Sequence, residues 1–155
     1  MHEICHRKCL LTSSSRGFFY FIIFSMEEMT MWVQYNPNPT GRSVDDCSVR
    51  AVSKALNIEW EDAYIEICSK GLAMGDMPHA DSVWGAVLRG RGFYRKAIPN
   101  YCPNCYTFGD FCKDNPVGTF VLGSGTHTAC VIDGTLFDSW NSLREIPIYV
   151  WYRKE

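Results

Sequence analysis

Three residues in this chain have the types and the order of a thiol nucleophile with its base. Cys47 follows two acidic residues, and His127 and Asp138 come much later, near the C-terminal end. In such a site the imidazole takes the proton of the thiol and later returns it to the leaving group. The carboxylate holds the ring in the useful tautomer. Together, in this order, the three residues indicate a Cys-His-Asp catalytic triad.

The segment after Cys47 has the pattern of a helix that begins at the cysteine. Its apolar residues recur at spacings of three and four: Val49, Val52, Ala55 and Leu56. The side chain of Asp45 or Asp46 can accept a hydrogen bond from an N–H group of the first turn. The helix dipole there favours an anion such as a thiolate. We therefore expect a helix from Cys47 to about Asn57.

The dipeptide Asp133-Gly134 between two apolar runs predicts a hairpin with a two-residue turn. That turn pairs Ala129 with Asp138. Paired residues share a face of the sheet and faces alternate along each strand, so His127 and Asp138 become diagonal neighbours on one face. A different loop length would reverse this parity and select Asn141 as the partner of the histidine.

The remaining pattern places helices first and strands later. Helices are expected from about Glu59 to Lys70 with Gly71 as a stop, from Pro78 to Gly90, and from Thr107 to Asn115. Strands are expected at residues 32–35, 93–98, 118–123, 126–132, 135–138 and 146–152. This order predicts an α+β domain in which N-terminal helices, the nucleophile helix first, pack on a C-terminal antiparallel sheet.

Length and composition limit the class of protein. The 155 residues suit one domain, and a formal charge of −2 gives no sign of a nucleic-acid partner. Eight cysteines are too few for a disulfide scaffold of this length, which favours a reduced, cytoplasmic setting. We expect a monomer without a cofactor and without a membrane segment.

Residues 1–30 lack helical or strand periodicity, and we expect a poorly structured or spurious extension before a domain at 31–155. Their apolar run at 18–24 is too short to span a bilayer as a helix. The run faintly resembles a secretory signal, but no small-residue cleavage site follows it.

Cys102 and Cys105 form a C-x-x-C pair, and Cys112 lies close to it in sequence. Such a pair is half of a zinc site or a redox pair, and both functions need further context. Three candidate ligands leave a tetrahedral zinc site one short. We therefore expect loop thiols and no metal that the fold requires.

Three short motifs resemble the papain-like cysteine peptidase superfamily. Asp46-Cys47-Ser48 is similar to its nucleophile helix, and residues 127–131 are similar to its histidine strand. Asp138-Ser139-Trp140 matches its Asn-Ser-Trp element, with Asp in place of Asn. Over residues 32–153 the pattern resembles small uncharacterised peptidase-like proteins of bacteria and their phages or mobile elements.

The resemblance implies a papain-like fold and a cysteine hydrolase (peptidase, isopeptidase or amidase) that acts on a peptide or protein. It also implies that Trp140 shields the hydrogen bond of the histidine from water. The superfamily commonly has an oxyanion-donating glutamine six residues before the cysteine, where this chain has Gly41. The available amides on the approach to the cysteine are those of Gln34, Asn36 and Asn38. Two alternatives are a catalytically silent binding module and an exported cell-wall amidase.

Overall fold

The computed structural model describes residues 31–101 and 103–153. The expectations for residues 1–30 and for Cys102 lie outside the described part of the chain. Four helices are described: α1 Cys47–Leu56, α2 Trp60–Met74, α3 Asp81–Gly90 and α4 Phe108–Asp114. Six strands are described: β1 Trp32–Gln34, β2 Phe93–Ala97, β3 Thr119–Gly123, β4 Thr128–Ile132, β5 Thr135–Asp138 and β6 Tyr149–Arg153. The predicted α+β class is confirmed.

The six strands form one sheet in the order β1-β5-β4-β3-β6-β2. The predicted antiparallel pairing holds for every pair except β1 with β5, but the two edge strands do not come from the C-terminal part of the chain. The N-terminal strand β1 pairs with β5 in parallel, and β2 from the middle of the chain pairs with β6. Both strands were predicted as strands, but alternation of side chains does not specify the neighbour against which a strand pairs.

The hairpin between β4 and β5 has the predicted two-residue turn and register. Ile132 pairs with Thr135 and Cys130 with Phe137. Asp133 has a φ of 48°, a left-handed conformation that aspartate tolerates, and Gly134 follows with a φ of 73°. The local turn chemistry therefore determines how the end of β5 lies beside the start of β4.

Two of the predicted helix boundaries are wrong. Helix α2 passes through Gly71 and ends at Met74, with Gly75 in the left-handed conformation as its C-cap. A Cβ at position 71 would lie 2.8 Å from the carbonyl oxygen of Asp76, so glycine there permits a close backbone approach. Helix α3 begins at Asp81 rather than at Pro78.

The other two predicted helices have the expected ends. Helix α1 begins at Cys47, and Asn57 closes it in the left-handed conformation with a φ of 52°. Helix α4 begins after Thr107, whose hydroxyl accepts a hydrogen bond from the N–H of Asp110 in a capping box.

The hydrophobic core has two parts, one on each face of the sheet. Helices α1, α2 and α3 pack on the face that includes Cys130 of β4. Helix α4 packs with Ala129 and Val131 of the same strand, which alternate with Cys130 and so belong to the opposite face. Helix α1 is thereby fixed against β4 and β5, with its N-terminus at the end of the sheet where β4 begins and β5 ends.

Candidate active site

Cys47 is the first residue of α1 and is half-buried. Asp46 is the N-cap residue, but its carboxylate accepts no hydrogen bond from the first turn, so the predicted side-chain cap is wrong for this residue. The carboxylate instead accepts from Arg50, from Asn38 Nδ2 at 3.2 Å and from Trp60 Nε1 at 3.0 Å. Asp46 therefore leaves the N–H groups beside the thiol to other acceptors.

His127 lies directly before β4, and the turn that precedes it sets its backbone. The N–H of Ser124 donates to the carbonyl oxygen of His127 at 2.8 Å. The N–H of His127 donates to Ser124 Oγ at 3.1 Å. These two hydrogen bonds close the β3–β4 turn and hold the histidine at the end of the sheet.

Asp138 is the last residue of β5 and is 2% exposed. Its Oδ2 lies 2.5 Å from His127 Nε2 and accepts from the Ser142 hydroxyl. Its Oδ1 accepts from the N–H of Ser139 at 2.7 Å and lies 3.8 Å from Arg50 Nη2. The structure thus brings the predicted histidine and aspartate together in the arrangement that the hairpin register favours.

The Cys47 side chain lies near enough to the imidazole of His127 to affect its pKa, and both residues line the same cleft. Burial lowers the pKa of His127, but the hydrogen bond to Asp138 and the interactions with the charges of Asp138 and Cys47 outweigh that effect and raise the pKa to about 9. At neutral pH the ring is then an imidazolium. Because Nε2 faces Asp138, Nδ1 is the nitrogen left for the thiol, and the ring bridges the two groups.

Trp140 lies against the imidazole, with its ring centroid 5.1 Å from that of His127 and the two planes tilted by 48°. The indole is 47% exposed. The indole therefore covers one side of the His127 imidazole, which is where the resemblance to the papain-like superfamily places this tryptophan. Its effect on the hydrogen bond between His127 and Asp138 stays a prediction.

Cys47 and His127 both line a cleft with a volume of about 560 Å³. The cleft lies between the start of α1, the start of α3 and the β3–β4 turn. Its other walls include these residues: Asp45, His79, Asp81, Trp84, Ser124 and Trp140. The candidate nucleophile and base are therefore open to a ligand of the size of a few residues of peptide.

The predicted amide donors lie away from this cleft. None of Gln34, Asn36, Asn38 and Asn141 is among the residues that line it. Asn36 donates to two carbonyl oxygens of residues 41–42, Asn38 is bound to Asp46, and Asn141 accepts from a backbone N–H in its own loop. The backbone N–H groups at the start of α1 therefore become candidate donors for an oxyanion formed at Cys47.

Arg50 is a residue of the site that belongs to the motif around Cys47 in the sequence but to which the sequence analysis assigned no role. It lies on α1 one turn after the cysteine, is 6% exposed, and stands between Asp46 and Asp138. The contact of Arg50 with Asp46 could be predicted from the sequence, because residues four apart on a helix are neighbours. The contact with Asp138 joins segments far apart in the chain and has no local signal.

No group of three or more metal-ligating side chains is present among the described residues. Cys112 faces the core from α4, and burial raises the pKa of its thiol to about 11, which disfavours the thiolate that zinc needs. Since Cys102 lies outside the described part, the absence of a required zinc stays a prediction.

A comparison of the chain with family models, with curated proteins and with solved structures finds no match. Membership of the papain-like superfamily therefore rests on the short motifs and on the geometry of the site, and it is carried forward as a proposal. Within residues 31–101 and 103–153, no helix is long and apolar enough to cross a membrane.

Proposed function

We propose that this protein is a small papain-like cysteine hydrolase that cleaves an amide or isopeptide bond of a peptide or protein. The observation that carries the proposal is the pair of His127 and Asp138, whose Nε2 and Oδ2 lie 2.5 Å apart, with Cys47 near the same imidazole and open to the same cleft. A thiol beside an imidazole that a carboxylate orients is the arrangement of a nucleophile with its base. A reducing compartment such as the cytoplasm would keep the nucleophile as a thiol.

The proposed reaction has two steps. In the first, Cys47 Sγ bonds to the substrate carbonyl carbon, the C–N bond breaks, and His127 gives its proton to the departing amine. In the second, His127 takes a proton from water, the hydroxide attacks the thioester, and the bond between carbon and Sγ breaks. The acid product leaves and the thiolate beside the imidazolium returns.

In both steps negative charge develops on the carbonyl oxygen of the substrate, and hydrogen-bond donors are needed to stabilise it. The backbone N–H of Cys47 lies at the start of α1, where the helix dipole favours negative charge. Loss of a single oxyanion donor typically costs about 10²–10³ in rate. Because the four side-chain amides do not line the cleft, a rate below that of a two-donor site is expected.

Alkylation with iodoacetamide followed by mapping of the modified thiol tests the nucleophile. At pH 6 Cys47 is expected to react before Cys68 and Cys130, because the imidazolium of His127 stabilises its thiolate. Burial raises the pKa of Cys130 far above the usual range, so its thiol serves as an internal reference. His127→Ala should remove the preference for Cys47, and Asp138→Asn should weaken it less.

Two matched variants control this experiment. Cys68→Ser removes a thiol of α2 that does not line the cleft, and Asn141→Ala removes the amide closest in sequence to the predicted triad. Neither variant should alter the rate at which iodoacetamide alkylates Cys47. Hydrolysis of a library of fluorogenic peptide amides, with Cys47→Ala as the blank, then tests the reaction itself.

A catalytically silent binding module is the second candidate, and the absence of a side-chain amide from the cleft lining favours it. If Cys47 proves no more reactive than Cys68 at pH 6, or if His127→Ala leaves its rate unchanged, this second function replaces the first. Reactivity at Cys47 without hydrolysis of any peptide amide would restrict the hydrolase proposal to other amide substrates.

A further inference from the structure

Arg50 joins the two carboxylates that flank the site. Its Nη1 donates to Asp46, and its Nη2 lies 3.8 Å from Asp138 Oδ1. We infer that Arg50 is a positioning residue that holds the Asp138 carboxylate in place for His127. The inference rests on the proposed function, since it concerns the same site.

The contacts of Asp138 show how the Arg50 guanidinium can control the orientation of its carboxylate. Oδ2 is occupied by His127 and Ser142, whereas Oδ1 accepts from the N–H of Ser139 and faces Arg50. Rotation of the carboxylate would move Oδ2 away from the imidazole. A guanidinium fixed to α1 opposes that rotation and ties the carboxylate to the helix that carries the thiol.

Stability alone gives a weak reason for burying this arginine. The side chain is 7% exposed, and its Nε–H has no acceptor among the described residues. Burial lowers the pKa of Arg50, and the charge of Asp138 opposes that change. Buried ion pairs often add no net stability over apolar side chains of similar size. Fixing the geometry of Asp138 is therefore the better explanation of its placement.

Arg50→Lys tests the role while keeping the positive charge. A lysine ammonium is a single point, so it cannot hold two carboxylates with the separate nitrogens of a planar fork. Asp138 should then lose its fixed orientation. We expect the pKa of His127 to fall from about 9 towards 6.5. NMR titration of its ring protons measures this change. The rate of iodoacetamide alkylation of Cys47 at pH 7 should fall about 10- to 100-fold.

Arg91→Lys is the matched control. Arg91 also pairs with a carboxylate, donating from Nε and Nη2 to Glu66 at 3.2 and 2.7 Å, but on the surface and outside the cleft. This variant should leave both readouts unchanged. The titratable and charged groups that face His127 or share its cleft are Cys47, Asp138, Asp45, Arg50, His79 and Asp81, and only Arg50 differs between the test variant and wild type.

A double-mutant cycle separates positioning from a general structural role. If Arg50 acts through Asp138, Arg50→Lys should change the Cys47 rate by less than about twofold in the Asp138→Asn background. An equal loss of rate in both backgrounds overturns the inference. So does an unchanged titration of His127 in folded Arg50→Lys protein.

The same measurements separate this inference from the proposed function. If His127→Ala slows Cys47 and Arg50→Lys changes neither readout, only the positioning role is overturned. If His127→Ala has no effect, the proposed function fails and the inference fails with it. Should Arg50→Lys not fold, Asp46→Asn removes the other carboxylate that Arg50 binds. A fall in the pKa of His127 in that variant supports the inference, and an unchanged value overturns it.

Discussion

Replacing Asp138 by asparagine should change how the stability of the protein depends on pH. Asparagine keeps the size of the side chain and can still accept a hydrogen bond from His127, but it removes the negative charge that favours the imidazolium. The pKa of His127 should then fall from about 9 towards its ordinary value of 6.5. The variant tests whether the charge of Asp138, and not only its shape, maintains the site.

The magnitude follows from the difference between the two pKa values. A group whose pKa is raised on folding contributes stability that is full below its unfolded pKa and is lost as the pH rises through its folded pKa. For His127 the contribution is therefore full below about pH 6.5 and lost by about pH 9–10. At about 1.4 kcal/mol for each pH unit, it amounts to about 3 kcal/mol.

Urea denaturation of both proteins at pH 6 and pH 10 measures this contribution. The difference in free energy of unfolding between wild type and Asp138→Asn should be larger at pH 6 than at pH 10 by up to about 3 kcal/mol, because Cys47 still favours the imidazolium in the variant. Loss of contacts to groups that do not titrate in this range, such as Arg50 and Ser142, adds a constant part. Titrating groups that do not interact with His127 or Asp138 act equally in both proteins and cancel.

Asp133→Asn is the control for removing a carboxylate from the same hairpin. Asp133 accepts from the N–H of Gly118 at 2.8 Å and does not contact His127. The difference in free energy of unfolding between wild type and Asp133→Asn should be the same at pH 6 and pH 10. A difference for Asp138→Asn that is also constant with pH, or an NMR titration of His127 near 6.5 in wild type, would refute the reasoning.

Two further outcomes can be measured directly. Gly123→Ala should lower the free energy of unfolding by about 1–3 kcal/mol in urea denaturation, since a Cβ there would lie 2.2 Å from Tyr149 Cζ in the packed core. Elemental analysis should detect no zinc held by the three cysteines between residues 102 and 112, and a chelator should leave the unfolding midpoint unchanged. One equivalent of zinc that is lost together with structure would contradict this second expectation.

Local chemistry makes much of the site readable from the amino-acid sequence. The spacing of apolar residues predicts where α1 begins and therefore puts Cys47 in its first turn. The Asp133-Gly134 turn fixes the parity of β4 and β5, and this parity selects Asp138 over Asn141. Both inferences succeed because helical period and turn type are properties of neighbouring residues.

Glycine and proline gave the wrong ends for two helices. Gly71 looks like a helix stop, but its missing side chain serves a close approach of the backbone at Asp76. Pro78 lies in the turn before α3 and does not open the helix. At Gly71 the close approach of the Asp76 backbone outweighs the tendency of glycine to end a helix.

What the sequence by itself determined is the order of the chemistry: a thiol at a helix start, then a histidine and a carboxylate brought together by a tight turn. Only the tertiary structure decided that the Asp46 carboxylate binds Asn38 and Trp60 and does not cap the first turn of α1, that Arg50 reaches Asp138, and that β1 joins β5 in parallel. The physical reason is distance along the chain. These contacts join segments whose meeting depends on how the helices pack on the sheet, and no periodicity within either segment encodes that packing.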